Sequence, residues 1–154
     1  MEAQILLCEY ANVDAQGRLN IIGGGWTVNA TNQPLRFSIA MRMITAWTEA
    51  NTRHHFRLRL LTQDGATVLG PRGNPMFGVE GEFEVGRPPG FVEGEDLVSC
   101  VAIDLPPLDF QSGMYELRLE VGDEVVGRAP FRVVRQPGRQ GGMGGISGMG
   151  GILQ

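Results

Sequence analysis

Lysine is absent from the 154-residue chain: all 13 basic residues are arginine, set against 17 aspartates and glutamates for a formal charge of −4. An acidic balance of this kind does not favour nucleic acid as a partner. No run of 18 apolar residues is present, so no membrane-spanning helix is expected. The opening Met1-Glu-Ala-Gln4 does not place a basic region before an apolar one, so no secretory signal is expected and the cytoplasm is the expected place of synthesis. Cysteine occurs only at Cys8 and Cys100, without C-x-x-C spacing, which excludes zinc-ribbon and dithiol redox motifs. Both lie in apolar strand-like runs and read as reduced, buried thiols, with a bridge between facing strands left open. The only histidines, His54 and His55, are adjacent; on a strand they point to opposite faces and do not converge on one metal. No serine, cysteine or carboxylate is spaced to make a nucleophile–base set with either. No catalytic residue, metal ligand or cofactor site is expected.

Alternation is what the sequence has in quantity. In Phe77–Val85, Phe77, Val79, Phe83 and Val85 share one face and Glu80, Glu82 and Glu84 the other, a period of two that only a strand can use. Tyr115–Val121 and Phe56–Leu60 repeat it, and Leu35–Ile44 places Leu35, Phe37, Ile39, Met41 and Met43 on one side. Ile5–Cys8, Leu19–Ile22, Leu97–Ile103 and Phe131–Val133 complete about eight candidate strands. Asp14-Ala-Gln-Gly17, Asp64-Gly65 and Gly122-Asp123 supply turn chemistry, while Pro88-Pro89-Gly90 and Pro106-Pro107 mark longer crossings where the chain can change sheet. Thr48–Asn51 is the one candidate helical turn. The pattern predicts an all-β domain over residues 1–136: an immunoglobulin-like antiparallel β-sandwich of about 7–9 strands, with a closed barrel as the alternative. Phe37, Phe56, Phe83, Tyr115, Leu117 and Phe131 are expected to face one core. Gly113-Met-Tyr115 follows a loop and opens a strand, the position at which a tyrosine hydroxyl can bond back to upstream backbone.

Several segments agree in order with a known family. Gln4-Ile-Leu-Leu-Cys-Glu-Tyr-Ala-Asn-Val-Asp14, Gly17-Arg-Leu-Asn-Ile-Ile-Gly-Gly-Gly-Trp26-Thr27, Trp47-Thr-Glu-Ala-Asn51, Phe56-Arg-Leu-Arg-Leu-Leu61 and Val79–Gly90 resemble a family of small actinobacterial and phage-encoded proteins catalogued as a domain of unknown function. The resemblance covers roughly residues 4–134. It implies a β-sandwich and carries over no catalytic residues.

Gly23-Gly24-Gly25 is not followed by a helical pattern, so it reads as a bend rather than a phosphate loop. Glu93-Gly94-Glu95-Asp96 lacks the spacing of a calcium loop and reads as a solvated turn. Charge is unevenly distributed along the chain: residues 80–124 carry a net −10, against +2 before them and +4 after. Folding either displays this asymmetry as a polarised surface or cancels it by interleaving the segments.

The C-terminal segment, 137–154, is distinct. Met143, Ile146, Met149 and Ile152 recur every third residue, each preceded by glycine, and Leu153 follows. A three-fold extended helix would line the first four along one edge. The expectation is a non-enzymatic structural or protein-interaction module that docks Met143, Ile146, Met149, Ile152 and Leu153 in an apolar groove of a protein partner. Its concrete form is a phage virion accessory, a capsid-decoration or other shell-associated protein; no nucleic-acid or membrane partner is expected. The alternative is a cytosolic small-ligand or carbohydrate-binding module using Trp26, Trp47 and the acidic loop.

Overall fold

A computed structural model describes residues 1–137, and the chain forms ten strands in three sheets with no α-helix among those residues. β1 (Glu2–Cys8), β5 (Ser38–Thr45) and β8 (Leu97–Asp104) make a sheet in the order β1-β5-β8. β4 (Val28–Thr31), β10 (Glu124–Arg135), β9 (Gly113–Val121), β6 (Arg53–Thr62) and β7 (Gly78–Glu84) make the second, in the order β4-β10-β9-β6-β7. β2 (Tyr10–Val13) and β3 (Leu19–Ile22) form a separate hairpin. Ten strands exceed the 7–9 expected from the pattern, because β2 and β4 have four residues each and too few large apolar side chains to display alternation. The expected antiparallel order also needs one correction: β4 runs parallel to β10, Val28 opposite Arg132 and Thr31 opposite Arg135. The strand expected from Leu35 begins only at Ser38, since Leu35 instead bridges Leu108 in the loop before β9. The helical turn is a 3₁₀ turn at Trp47–Glu49.

The two larger sheets share one apolar core. Ile39, Met41 and Met43 from β5 meet Leu58 and Leu60 from β6, Leu117 and Leu119 from β9, and Phe131 and Val133 from β10. All six expected core residues belong to it. Phe37, Leu117 and Phe131 are buried, and Phe56, Phe83 and Tyr115 pack against them half-buried. At one end Phe37, Phe110, Phe131 and Trp26 form an aromatic cluster, with Trp26 edge-on to Phe37 at 5.3 Å and to Phe131 at 5.9 Å. Such edge-to-face contacts add to the area term of burial. The Tyr115 hydroxyl donates to the Gln111 carbonyl at 2.7 Å, tying the loop to the strand start. The hairpin β2–β3 lies on the outer face of the smaller sheet, where Ala11 and Leu19 cover Cys8, Ala40 and Ala102.

The proline-marked crossings are where the chain changes sheet: 85–96 links β7 to β8, and 105–112 links β8 to β9. One side of the space between the two larger sheets is tightly closed. β10 bulges between Val125 and Gly127, and a Cβ on Gly127 would lie 2.8 Å from the Ala3 carbonyl oxygen of β1. Only glycine lets these two backbones approach so closely.

Candidate functional site

On the opposite side the two larger sheets are open. β7 ends one sheet and β8 the other, and among the described residues nothing pairs with their outer edges. Between them the inward-facing side chains of five strands line an apolar slot of about 420 Å³. Val79 and Phe83 form its β7 wall, with Phe56 and Leu119 behind them; Met41 and Met43 form the floor; Ser99, Val101 and Ile103 form the β8 wall. Alternation on β7 puts Val79, Gly81 and Phe83 on this face and sends Glu80, Glu82 and Glu84 to solvent. Gly81 leaves the gap that the Phe56 ring occupies: a Cβ there would stand 3.1 Å from Cε1 of the ring. Phe56 and Phe83 meet edge-to-face at 6.0 Å, and His54 lies over Phe83 at 5.5 Å with its Nε2 2.8 Å from the Glu49 carbonyl oxygen. The slot continues into a second hollow of about 400 Å³ beneath the 85–96 loop, between Val85, Arg87, Phe91 and Val98. Phe91, Val92 and Val98 are exposed around that mouth.

A hollow of about 680 Å³ between the 68–76 and 107–111 loops is larger but more open. Of the polar groups along it, Asp109 is paired with Arg135 at 2.8 Å and the Gln111 carbonyl accepts from Tyr115, while Arg72 and Asn74 line its other side.

The outer face of the five-stranded sheet answers the question of charge. Arg57 faces Glu80 at 3.4 Å, Arg53 faces Glu82 at 3.7 Å and Arg59 reaches Glu120 at 3.4 Å. Glu116 accepts from Arg118 at 2.7 Å and from Arg128 at 3.4 Å. The acidic middle of the sequence is therefore interleaved with arginines from both flanks, and on this face the asymmetry cancels. Exposed pairs of this kind contribute little stability each.

The remaining candidates are dispersed. Trp26 packs in the aromatic cluster, whereas Trp47 lies under the Arg87 guanidinium, 4.5 Å from its ring; the two make no common platform. Gly23-Gly24-Gly25 is the bend that returns the chain from β3 to β1, with the Gly25 amide donating to Leu7. In the acidic loop, Glu95 accepts from the Val92 amide at 2.9 Å. Cys8 is buried, its thiol facing the Ser38 carbonyl at 3.3 Å; burial, and then Asp104, push its pKa up, which keeps it a protonated and poor nucleophile. Cys8 is opposite Ser38 and Cys100 opposite Arg42, on either side of β5. That register puts their Cα atoms roughly 16 Å apart, against the roughly 7 Å a disulfide can span. Both thiols are free. No three His, Cys, Asp or Glu side chains converge as a metal site among the described residues, and no helix there is long and apolar enough to cross a membrane. Met143, Ile146, Met149, Ile152 and Leu153 lie outside the described residues.

The slot itself was missed at the level of sequence. Its signal is the single glycine on the inward face of β7 together with two unbranched methionines on β5, a combination that leaves space where larger or stiffer residues would fill it.

No curated protein matches the chain. A family model does match, over residues 3–134, nearly the whole described body and in close agreement with the span of the resemblance read from the sequence. The chain belongs to the family of unknown function DUF6941.

Proposed function

We propose that this protein is a non-enzymatic, immunoglobulin-like interaction module that binds an extended polypeptide in the slot between β7 and β8. The observation that carries this reading is the slot: an apolar trough flanked by two strand edges that no other strand pairs with among the described residues. An extended chain can satisfy such an edge with main-chain hydrogen bonds while its apolar side chains enter the trough, the mode of β-strand addition. The segment 137–154, with Met143, Ile146, Met149, Ile152 and Leu153, is the chain's own docking element toward a protein partner. The concrete setting proposed is a shell-associated accessory of actinobacterial or phage type, a reading supported by the family resemblance and by the regular tail. Trp26 and Trp47 are engaged elsewhere, which leaves the slot rather than an aromatic platform as the recognition surface.

The test is a titration of isotope-labelled full-length protein with unrelated decapeptides that carry Met or Ile at every third position between glycines, followed by amide chemical shifts. Shifts clustered at Val79–Val85 and Ser99–Ile103 are expected, lost in Val101→Lys and kept in Val101→Leu. Decanoate serves as the small-ligand arm. Shifts with decanoate and none with peptides would replace the reading by a small-ligand module; shifts elsewhere, or none with either, would overturn it.

A further inference from the structure

Of the two free edges beside the slot, that of β8 is partly covered on its outer face, where the β2–β3 hairpin lies over Ala102. The side chains of β7 sort by face. Val79, Gly81 and Phe83 face the slot, while Glu80, Glu82 and Glu84 stand exposed on the outer face, one at every second position. A strand added to this edge lies about 5 Å away and continues the alternation. Its inward side chains close the trough and its outward ones stand beside the three glutamates. We propose that the polypeptide received by the slot is a segment of another protein in which apolar residues alternate with arginine or lysine, a proposal that rests on the reading above. The chain already shows this pairing once, on the other edge of β7. There β6 places His54, Phe56 and Leu58 inward opposite Phe83, Gly81 and Val79, and Arg53 and Arg57 outward opposite Glu84 and Glu80. Phe56-Arg57-Leu58-Arg59 is thus a working pattern for a neighbour of β7.

Arginines answer these glutamates from the β6 side only. Glu80 meets Arg57 at 3.4 Å and Glu82 meets Arg53 at 3.7 Å, each through Oε2, and Glu84 has no ion pair among the described residues. All three are exposed, so a cation on the free side reaches them without breaking a buried contact. The loop over the slot mouth adds the exposed Glu93, Glu95 and Asp96 against Arg87, which leaves the open side with an excess of negative charge. Two other occupants fit this edge less well. A second copy paired through β7 in a two-fold antiparallel arrangement sets outward side chains against outward side chains, glutamate opposite glutamate, and like charges directly opposite are destabilising. The stretch 140–154 contains no charged residue and offers the glutamates no partner. The same glutamates guard the edge, since charges along an unpaired strand oppose unspecific pairing. The edge thereby selects a neighbour that brings positive charge at alternate positions.

The experiment titrates isotope-labelled full-length protein with end-blocked octapeptides in which Leu and Val alternate with Arg, with Ser or with Glu, and follows amide shifts at Val79–Val85 and Ser99–Ile103. At low salt the Arg peptide should bind about tenfold more tightly than the Ser peptide, a preference that cross-strand charge pairs supply, and the Glu peptide more weakly than either. At about 1 M salt, where the screening length falls to about 3 Å, the preference should disappear. The joint Glu80→Gln, Glu82→Gln and Glu84→Gln variant should bind the Arg and Ser peptides alike, with its amide spectrum away from β7 unchanged. Equal affinity of the parent for the Arg and Ser peptides, or a preference that survives in the triple variant, would overturn the proposal and leave peptide binding in the slot standing. Absence of slot shifts with every octapeptide would overturn the peptide reading itself, and this proposal with it.

Discussion

Thr45 is fully buried at the end of β5, and its hydroxyl meets no hydrogen-bonding group among the described residues. A buried hydroxyl without a partner loses its hydration and regains nothing, so Thr45→Val, which keeps the shape, should raise stability by about 1 kcal/mol. In a thermal melt that is a gain of roughly 3 °C, whereas Thr45→Ala, which opens a void, should lower the midpoint. Glu49 is the opposite case, a carboxylate with several donors. It accepts from the Met1 α-amine at 3.1 Å and from the Ala46 amide at 3.0 Å, and its pKa is lowered, chiefly by the hydrogen bond from that amine. A carboxyl with a folded pKa below its unfolded value stabilises the fold above the unfolded value and loses that contribution as pH falls through the folded one. Chemical denaturation between neutral pH and pH 3 should therefore show an acid loss that Glu49→Gln reduces.

β7 illustrates how strand register divides one sequence into two surfaces. Phe83→Ala removes a half-buried ring from the slot wall and should cost about 2–3 kcal/mol, less than a fully buried ring would. Glu82→Ala, one residue away, removes only a long exposed contact to Arg53 and should stay within about 0.5 kcal/mol. Urea unfolding of the pair measures the difference, and equal losses would mean that the register is displaced by one residue. That alternation made β6, β7 and β9 legible, because each buries one face and its charges mark the other; β5 and β8 were legible as apolar runs, since the β2–β3 hairpin covers Ala40 and Ala102 on their second face. The sheet changes at both proline-marked crossings were legible for the same local reason. β2 and β4 were not, since Val28-Asn29-Ala30-Thr31 has one large apolar residue and owes its strand conformation to a parallel partner about a hundred positions away. The slot escaped notice for a related reason. Val79 and Phe83 point inward whether or not something covers them, and only the order of strands across both sheets reveals that β7 and β8 come last.

At the scale of the whole molecule, the apolar core formed by the described residues runs from Ala3 to Val133 and joins both larger sheets, so the body should fold without its tail. Deleting residues 138–154 should move the thermal midpoint by no more than a few degrees, a comparison that differential scanning calorimetry makes directly. A collapse of the transition would mean that the tail completes the core. A different demand comes from the contacts that gather at β10. It pairs with β4 and presses Gly127 onto Ala3 of β1, so the first thirty or so residues are held by the last strand of the body. Those loops must close before the contacts can form, which places folding in the millisecond-to-second range of all-β domains rather than the microseconds of helical bundles. During synthesis the apolar faces of β1, β5 and β6 stay uncovered until the ribosome has passed Arg135. The nascent chain should therefore expose apolar surface over most of its translation, and lesions in β4 or at Gly127 should be felt first as slow, aggregation-prone maturation.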